Sequence, residues 1–285
     1  MEKNAERLQV IKNIEKAVNE QDYNRKVEIH DHKVTEEERN TIILKYDSKK
    51  RKIRNKAKTI VARQIADTIT EYINIKTNII GIANAKGIHT GAIITSNHFN
   101  KIDNTIIRYL MHRVGRGRKF DIIVQDSNIF MPGTLGWLIK NNRTIPINKD
   151  HKYISNNFEP AMKKFFQKKH FVLIYPEEEM WYNYKLPRPG KIGAYHYACK
   201  YNVPIIPCFI EMNNTEKIDN DGFYVQRYTL HVMEPIYPDL SKDFKVAKEE
   251  LRQKDYEMKI KKYEEVYGEK LDYTFNLEKD IAGWN

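Results

Sequence analysis

His98 and Asp103, a histidine and a carboxylate five residues apart, follow directly on the apolar run Gly91, Ala92, Ile93 and Ile94. An imidazole titrates near neutrality, and one whose far nitrogen is held by a carboxylate can take a proton from a hydroxyl nucleophile. Such a pair suits acyl transfer to an alcohol. Residues five apart on a regular helix are rotated by about 140° from one another. The spacing therefore predicts His98 in a strand-to-helix turn, with Asp103 one turn into the next helix and folded back onto the ring. No Gly-x-Ser-x-Gly elbow or comparable nucleophile motif calls for a covalent intermediate.

Short apolar runs at 91–95, 120–124, 144–147, 171–175, 203–209 and 228–233 predict six strands, and helical patterns at 105–114 and 157–169 fall between several of them. This alternation implies an α/β fold, a largely parallel central sheet flanked by helices, with a helical N-terminal extension. Ligands of such sheets lie at the carboxyl ends of the strands. His98 falls there, as does Glu177 after Tyr175. The expected division is a helical, basic region at 1–78, the α/β domain at 79–240, and a C-terminal helix and tail at 241–285. In the first region, helices fit 6–20 and 36–46. The segment 49–58 carries seven cations and no acid and runs into Ile60, Ile65, Ile69 and Ile73, the stripe of an amphipathic helix. Near the end, Ser241 is the expected cap of a helix over 242–267 that stops at Gly268 and lies over the sheet edge.

A formal net charge of +11 admits nucleic acid, an anionic membrane face or an acidic carrier as partner. Arg108, Arg113, Arg116, Arg118 and Lys119 form a second acid-free cluster, either turned to such anions or simply solvated. Two cysteines, Cys199 and Cys208, are too few for a metal or redox motif and indicate a reducing compartment. His30, Asp31 and His32 read as a solvated turn, because zinc sites need three or four protein ligands; no metal is expected. Residues 1–7 carry no apolar leader, and no run of about 18–20 apolar residues could span a bilayer.

Four segments in order resemble the glycerolipid acyltransferase family, which includes bacterial 1-acylglycerol-3-phosphate acyltransferases. Asn97-His98-x4-Asp103 matches its Asn-His-x4-Asp block. Pro146 to Lys149 resembles Phe-Ile-Asp-Arg. Tyr175-Pro176-Glu177 resembles Phe-Pro-Glu-Gly-Thr-Arg-Ser, and Val203 to Pro207 matches Val-Pro-Ile-x-Pro. The resemblance spans residues 79–234. It implies His98 as general base, Asp103 as its orienter, and Asn97, Asn148, Lys149, Glu177, Lys191 and Gly193 in substrate binding. The charge-free segment 129–139, with Trp137, and Pro204 in the fourth block are candidates for the acyl-chain path. The oxyanion donors carry no signature.

Two blocks depart from the pattern. Glu178, Glu179, Met180 and Trp181 stand where the family has Gly-Thr-Arg-Ser, and Asn148-Lys149 replaces Asp-Arg. A cation survives in the second block but a bidentate fork does not. Lys185, Arg188 and Lys191 could instead supply phosphate contacts. The resemblance implies acyl-CoA or acyl carrier protein as donor substrate, no bound cofactor, and 1-acylglycerol-3-phosphate as acceptor, giving phosphatidic acid. The altered third block leaves another lysolipid, a glycolipid or a polyol open. The expected location is cytoplasmic, peripheral to the inner face of the cell membrane. A rival reading of another class is a non-catalytic basic protein binding membrane or nucleic acid through 49–58.

Overall fold

Ile93 and Ile94, Val172 and Leu173, and Ile205 and Ile206 are sequence neighbours that fall into different apolar clusters. Side chains alternate across a strand, so a sheet covered on both faces needs continuous apolar runs. The computed structural model, which describes residues 3–29, 35–38, 41 and 53–284, shows such a sheet. Helices α1 (Ala5–Asn19) and α2 (Ile53–Asn74) precede strand β1 (Asn78–Ile80), α3 (Ile82–Lys86) and β2 (Ala92–Thr95). Then come α4 (Asp103–Arg113), β3 (Phe120–Gln125), α5 (Asp126–Ile129), α6 (Gly133–Asn141) and β4 (Thr144–Ile147). The chain returns through α7 (His151–Tyr153), a wide helical turn (Ile154–Phe158) and α8 (Glu159–Gln167) to β5 (Phe171–Ile174). After a long loop follow α9 (Gly193–Tyr201), β6 (Ile205–Ile218), β7 (Tyr224–Val232), α10 (Phe244–Tyr267) and α11 (Leu277–Asp280).

The seven strands lie in the order β1-β7-β6-β2-β5-β3-β4. Every neighbouring pair is parallel except β6 and β7. The α/β class and the mostly parallel sheet agree with the sequence. β1, three residues long, was not expected, and β6 and β7 extend well past the apolar runs that announced them. Their outer halves pair as an antiparallel ribbon through Asn213, Asn214 and Gln226, where the hairpin supplies hydrogen bonds without burial.

Helix α10 starts later than expected. Asp243, directly ahead of it, accepts from the Lys245 and Val246 amides at 2.8 and 3.4 Å, while the Ser241 hydroxyl turns to Asp239. Gly268 closes it with a left-handed φ of 69°. It packs on α9 and on β6, an interior strand, and so covers a face of the sheet instead of an edge. Its buried Asp255 accepts from the Thr95 hydroxyl at 2.8 Å, from Lys259 at 2.8 Å and from Tyr195. That pins α10 to the last residue of β2.

Val10, Ile11, Ile14 and Val18 of α1 join Trp181, Tyr182, Tyr184 and Phe209 in a third apolar cluster. Helix α2 packs on α4 and α6. It buries Ala62, Thr70 and Asn74 and leaves Ile60, Ile65 and Ile69 of its stripe exposed, with Val61 beside them. The second basic cluster splits up: Arg108 is buried against Asp67 at 3.3 Å and Arg113 pairs with Glu71 at 2.9 Å, while Arg118 and Lys119 are exposed. His30, Asp31, His32, the cations at 49–52 and most of 36–46 lie outside the described residues.

Candidate active site

Strands β2 and β5 are adjacent and in register, Thr95 opposite Ile174, so the loops that leave them emerge side by side. Beyond Thr95 the Asn97 side chain continues the ladder. Its Nδ2 donates to the Ile210 carbonyl at 3.0 Å and its Oδ1 accepts from the Ile210 amide at 2.8 Å. This amide thus fixes the course of the chain ahead of His98, and it is buried.

His98 Nδ1 lies 2.7 Å from Asp103 Oδ2. Asp103 is the first residue of α4 and fully buried, and a carboxylate there is favoured by the helix N-terminus. The same oxygen accepts from the Phe99 and Asn100 amides at 2.9 and 3.2 Å, and Oδ1 accepts from the Tyr175 hydroxyl at 2.6 Å. Burying a carboxylate is costly unless it is hydrogen-bonded, and here four donors meet it. With Nδ1 committed to Asp103, Nε2 is the ring nitrogen left for another partner. The Tyr175 ring stacks on that of His98 with centroids 4.0 Å apart and planes 16° from parallel. Burial and then the Asp103 charge hold the Tyr175 hydroxyl well above the ordinary tyrosine range, so it remains a donor.

Glu177 is spent on structure. Oε2 accepts from the His98 amide at 3.1 Å and from Arg188 Nη2 at 2.8 Å, and Oε1 accepts from the Arg188 amide at 3.0 Å. Burial pulls the Arg188 guanidinium below its ordinary range and Glu177 opposes that pull. Arg188 Nη1 also donates to the Tyr23 carbonyl at 2.9 Å, and the guanidinium covers the Trp181 ring at 4.3 Å. Asn24 donates to the Glu177 and Pro189 carbonyls at 3.2 and 3.0 Å, lacing the N-terminal segment to this loop. Arg188 is therefore no phosphate contact. Lys185 is not one either: burial lowers its pKa, and it sits over the Tyr267 ring away from the cavity.

His98 lies on the wall of a cavity of about 1600 Å³, together with Asn148, Lys149, Lys191 and Gly193. Asp103 stands behind His98, and Asn97, Glu177, Trp137 and Pro204 are not on the wall. Trp137 misses because of helical phase. Leu135, Leu138 and Ile139 of α6 share the cavity face and Trp137 falls off it. Pro204 is buried in the turn into β6, its carbonyl accepting from the Ile93 amide at 2.9 Å.

Sequence reasoning missed much of the apolar wall, including Ile69 and Ile73 of α2 and Ile123 of β3, and the cation Lys101. The isoleucine stripe of α2 was the available signal. Glu178 and Glu179 also reach the wall, and burial, opposed by Lys191, raises the Glu178 pKa. Asn148 Oδ1 accepts from the Asp150 amide at 3.0 Å, while its buried Nδ2 has no partner. Among the described residues no group of three or more His, Cys, Asp or Glu side chains is placed to hold a metal ion.

A search of curated proteins finds no match. Among solved structures, the 1-acyl-sn-glycerophosphate acyltransferase PlsC from Thermotoga maritima is similar to this chain, with a TM-score of 0.53 and 17% identity over 82% of this chain and 90% of that one. A family model described as Acyltransferase matches residues 69–211, which hold His98, Asp103 and the wall residues from Asn148 to Gly193. With about half of its length matched and all four sequence blocks inside the match, the chain belongs to the acyltransferase family.

Proposed function

We propose that this protein moves a fatty acyl group from an acyl thioester, acyl-CoA or acyl carrier protein, to the free hydroxyl of a lysolipid, with 1-acylglycerol-3-phosphate as the favoured acceptor. The observation that carries this reading is His98 on the cavity wall with Nδ1 held 2.7 Å from Asp103. Nε2 takes the acceptor proton as the oxygen attacks the thioester carbonyl. The tetrahedral intermediate then collapses, the C–S bond breaks, and the imidazolium returns its proton to the departing thiolate. The donor is consumed as a substrate and no resident cofactor takes part.

The cavity suits both ends of such an acceptor. The isoleucines and leucines from α2 and α6 can cover a tail, each buried CH2 contributing about 0.8 kcal/mol. Lys101, Lys149, Lys191 and the orphaned Asn148 Nδ2 can meet a phosphate. The Thermotoga maritima relative, a 1-acyl-sn-glycerophosphate acyltransferase, supports the same acceptor. A second reading, a phosphate-free glycolipid or polyol acceptor, draws on Glu178 and Glu179 in the same wall.

We further propose shallow docking on the anionic inner face of the cell membrane. No described helix is long and apolar enough to cross a bilayer. Ile60, Tyr72 and Ile75, on or just past α2, are 58, 83 and 74% exposed beside the cavity's α2 wall. Family membership sets aside the reading of a non-catalytic binding protein.

Thiol release from acyl-CoA, followed with lysophosphatidic acid, other lysolipids and a monoacyl glycolipid, tests the reading. Turnover with lysophosphatidic acid above the others is expected. Turnover only with a phosphate-free acceptor selects the second reading, and no thiol release with any acceptor refutes acyl transfer to these lipids.

A further inference from the structure

The residue that touches both halves of the His98–Asp103 pair is Tyr175. Its hydroxyl donates to Asp103 Oδ1 at 2.6 Å and its ring lies against the imidazole at 4.0 Å. The acyltransferase block this segment resembles begins with phenylalanine, which could stack but not donate. We propose that Tyr175 is a positioning residue that holds the angle between acid and base and, by drawing Asp103's charge toward Oδ1, keeps His98 a weaker base than the carboxylate alone would make it.

The physical argument starts from the burial of Asp103, which is fully buried, so its charge is shared among its donors and not with solvent. A hydrogen bond to an ionised acceptor is stronger than a neutral one. Oδ1 has Tyr175 at 2.6 Å, whereas Oδ2 serves His98 and two backbone amides. Density drawn to Oδ1 weakens the hold of Oδ2 on an imidazolium, so the neutral, proton-accepting form of His98 extends to lower pH. The other charged groups near the ring do not override this. Glu177 and Arg188 face each other at 2.8 Å beneath the His98 backbone. Lys101 and Glu178 lie on the open cavity wall, and Tyr228, whose own ionisation burial and Asp103 oppose, stays neutral.

The test compares the full chain with Tyr175→Phe, which keeps the stacked ring. The His98 titration is read by NMR, assigned through His98→Ala, and kcat/KM for acyl-CoA and lysophosphatidic acid is followed against pH. In Tyr175→Phe, His98 should titrate about half a unit to one unit higher. The acid limb of the profile should move with it, and kcat should fall about tenfold with little change in KM. Uniform replacement of tyrosine by 3-fluorotyrosine, a more acidic phenol, gives a second variant with the opposite sign, a lower His98 titration. If His98 titrates in both variants as in the parent, the proposal is overturned. The kinetic arm rests on the acyl-transfer reading but the NMR arm does not. Absence of thiol release in the parent would count against that reading while leaving the role of Tyr175 to the titration.

Discussion

Arg188 Nη2 lies 2.8 Å from Glu177 Oε2 and 3.4 Å from the His98 carbonyl, so one buried guanidinium holds both the third-block glutamate and the backbone of the proposed base. A buried ion pair that loses one member leaves an uncompensated charge, which costs about 3–5 kcal/mol. Arg188→Ala should therefore lower the melting temperature by on the order of 10 °C. His98→Ala, which removes a ring from a cavity wall, should lower it far less. Calorimetry on the two variants checks the order, and equal losses would contradict the bracing role.

Removing the proposed base separates chemistry from folding. His98→Ala should cut kcat by about 10²- to 10⁴-fold while a fluorescent lysolipid still binds. Asp103→Asn should also slow turnover, because an amide facing Nδ1 favours the wrong tautomer. Its effect on stability should be larger than that of His98→Ala, since Asp103 accepts from the Phe99 and Asn100 amides. Stopped-flow thiol release and thermal melts on the same preparations read both.

Glu178 adopts a φ of 62°, a left-handed conformation that the Cβ of an L residue resists. The family block has glycine at this place. Glu178→Gly should relieve the strain and raise stability by about 0.5–1 kcal/mol, after allowing for the greater freedom of glycine in the unfolded chain. If the carboxylate contributes to acceptor choice, the same variant should shift the ratio of turnover between phosphate-bearing and phosphate-free acceptors. An unchanged ratio would restrict Glu178 to the loop's shape.

His112 clamps α2 to α4, with Nδ1 2.7 Å from Glu71 and Nε2 3.1 Å from Asp67. The Asp67 hydrogen bond, ahead of opposing burial, raises its pKa above 6.5. A base whose folded pKa is raised stabilises fully below its unfolded value, and that contribution fades as pH climbs through the folded one. Burial pushes Asp67 up, yet His112 and Arg108 carry it below 3.8, so its share is present above that value and is lost as pH falls further. Protection of the α2 amides, that is exchange relative to the intrinsic rate at each pH, should accordingly be greatest at mildly acidic pH and fall above neutrality. His112→Gln should flatten that alkaline change, and a profile identical to the parent's would rule the clamp out.

The His98–Asp103 pair was legible because its parts are local: five residues, a strand end and a helix start. The sheet was legible because runs such as Phe171, Val172 and Leu173 are apolar on both faces. What sequence could not show is contact between distant segments. The Glu177–Arg188 brace crosses a loop, and the Tyr175 hydroxyl meets a carboxylate 72 residues upstream. Glu177 accordingly resembled a substrate contact when its oxygens are already taken. The α2 wall, the ribbon beyond Met212 and the off-phase Trp137 were hidden for the same reason, since burial there is decided by tertiary neighbours and not by local pattern.

The Thr95 hydroxyl, three residues from His98, is fastened to Asp255 on a helix that the chain makes only after the whole sheet is laid down. The footing of the proposed proton acceptor is thus completed last, from the opposite end of the polypeptide. A chain severed ahead of α10 would release the anchor of β2's final residue, and misalignment of the imidazole should follow even where the seven strands still assemble.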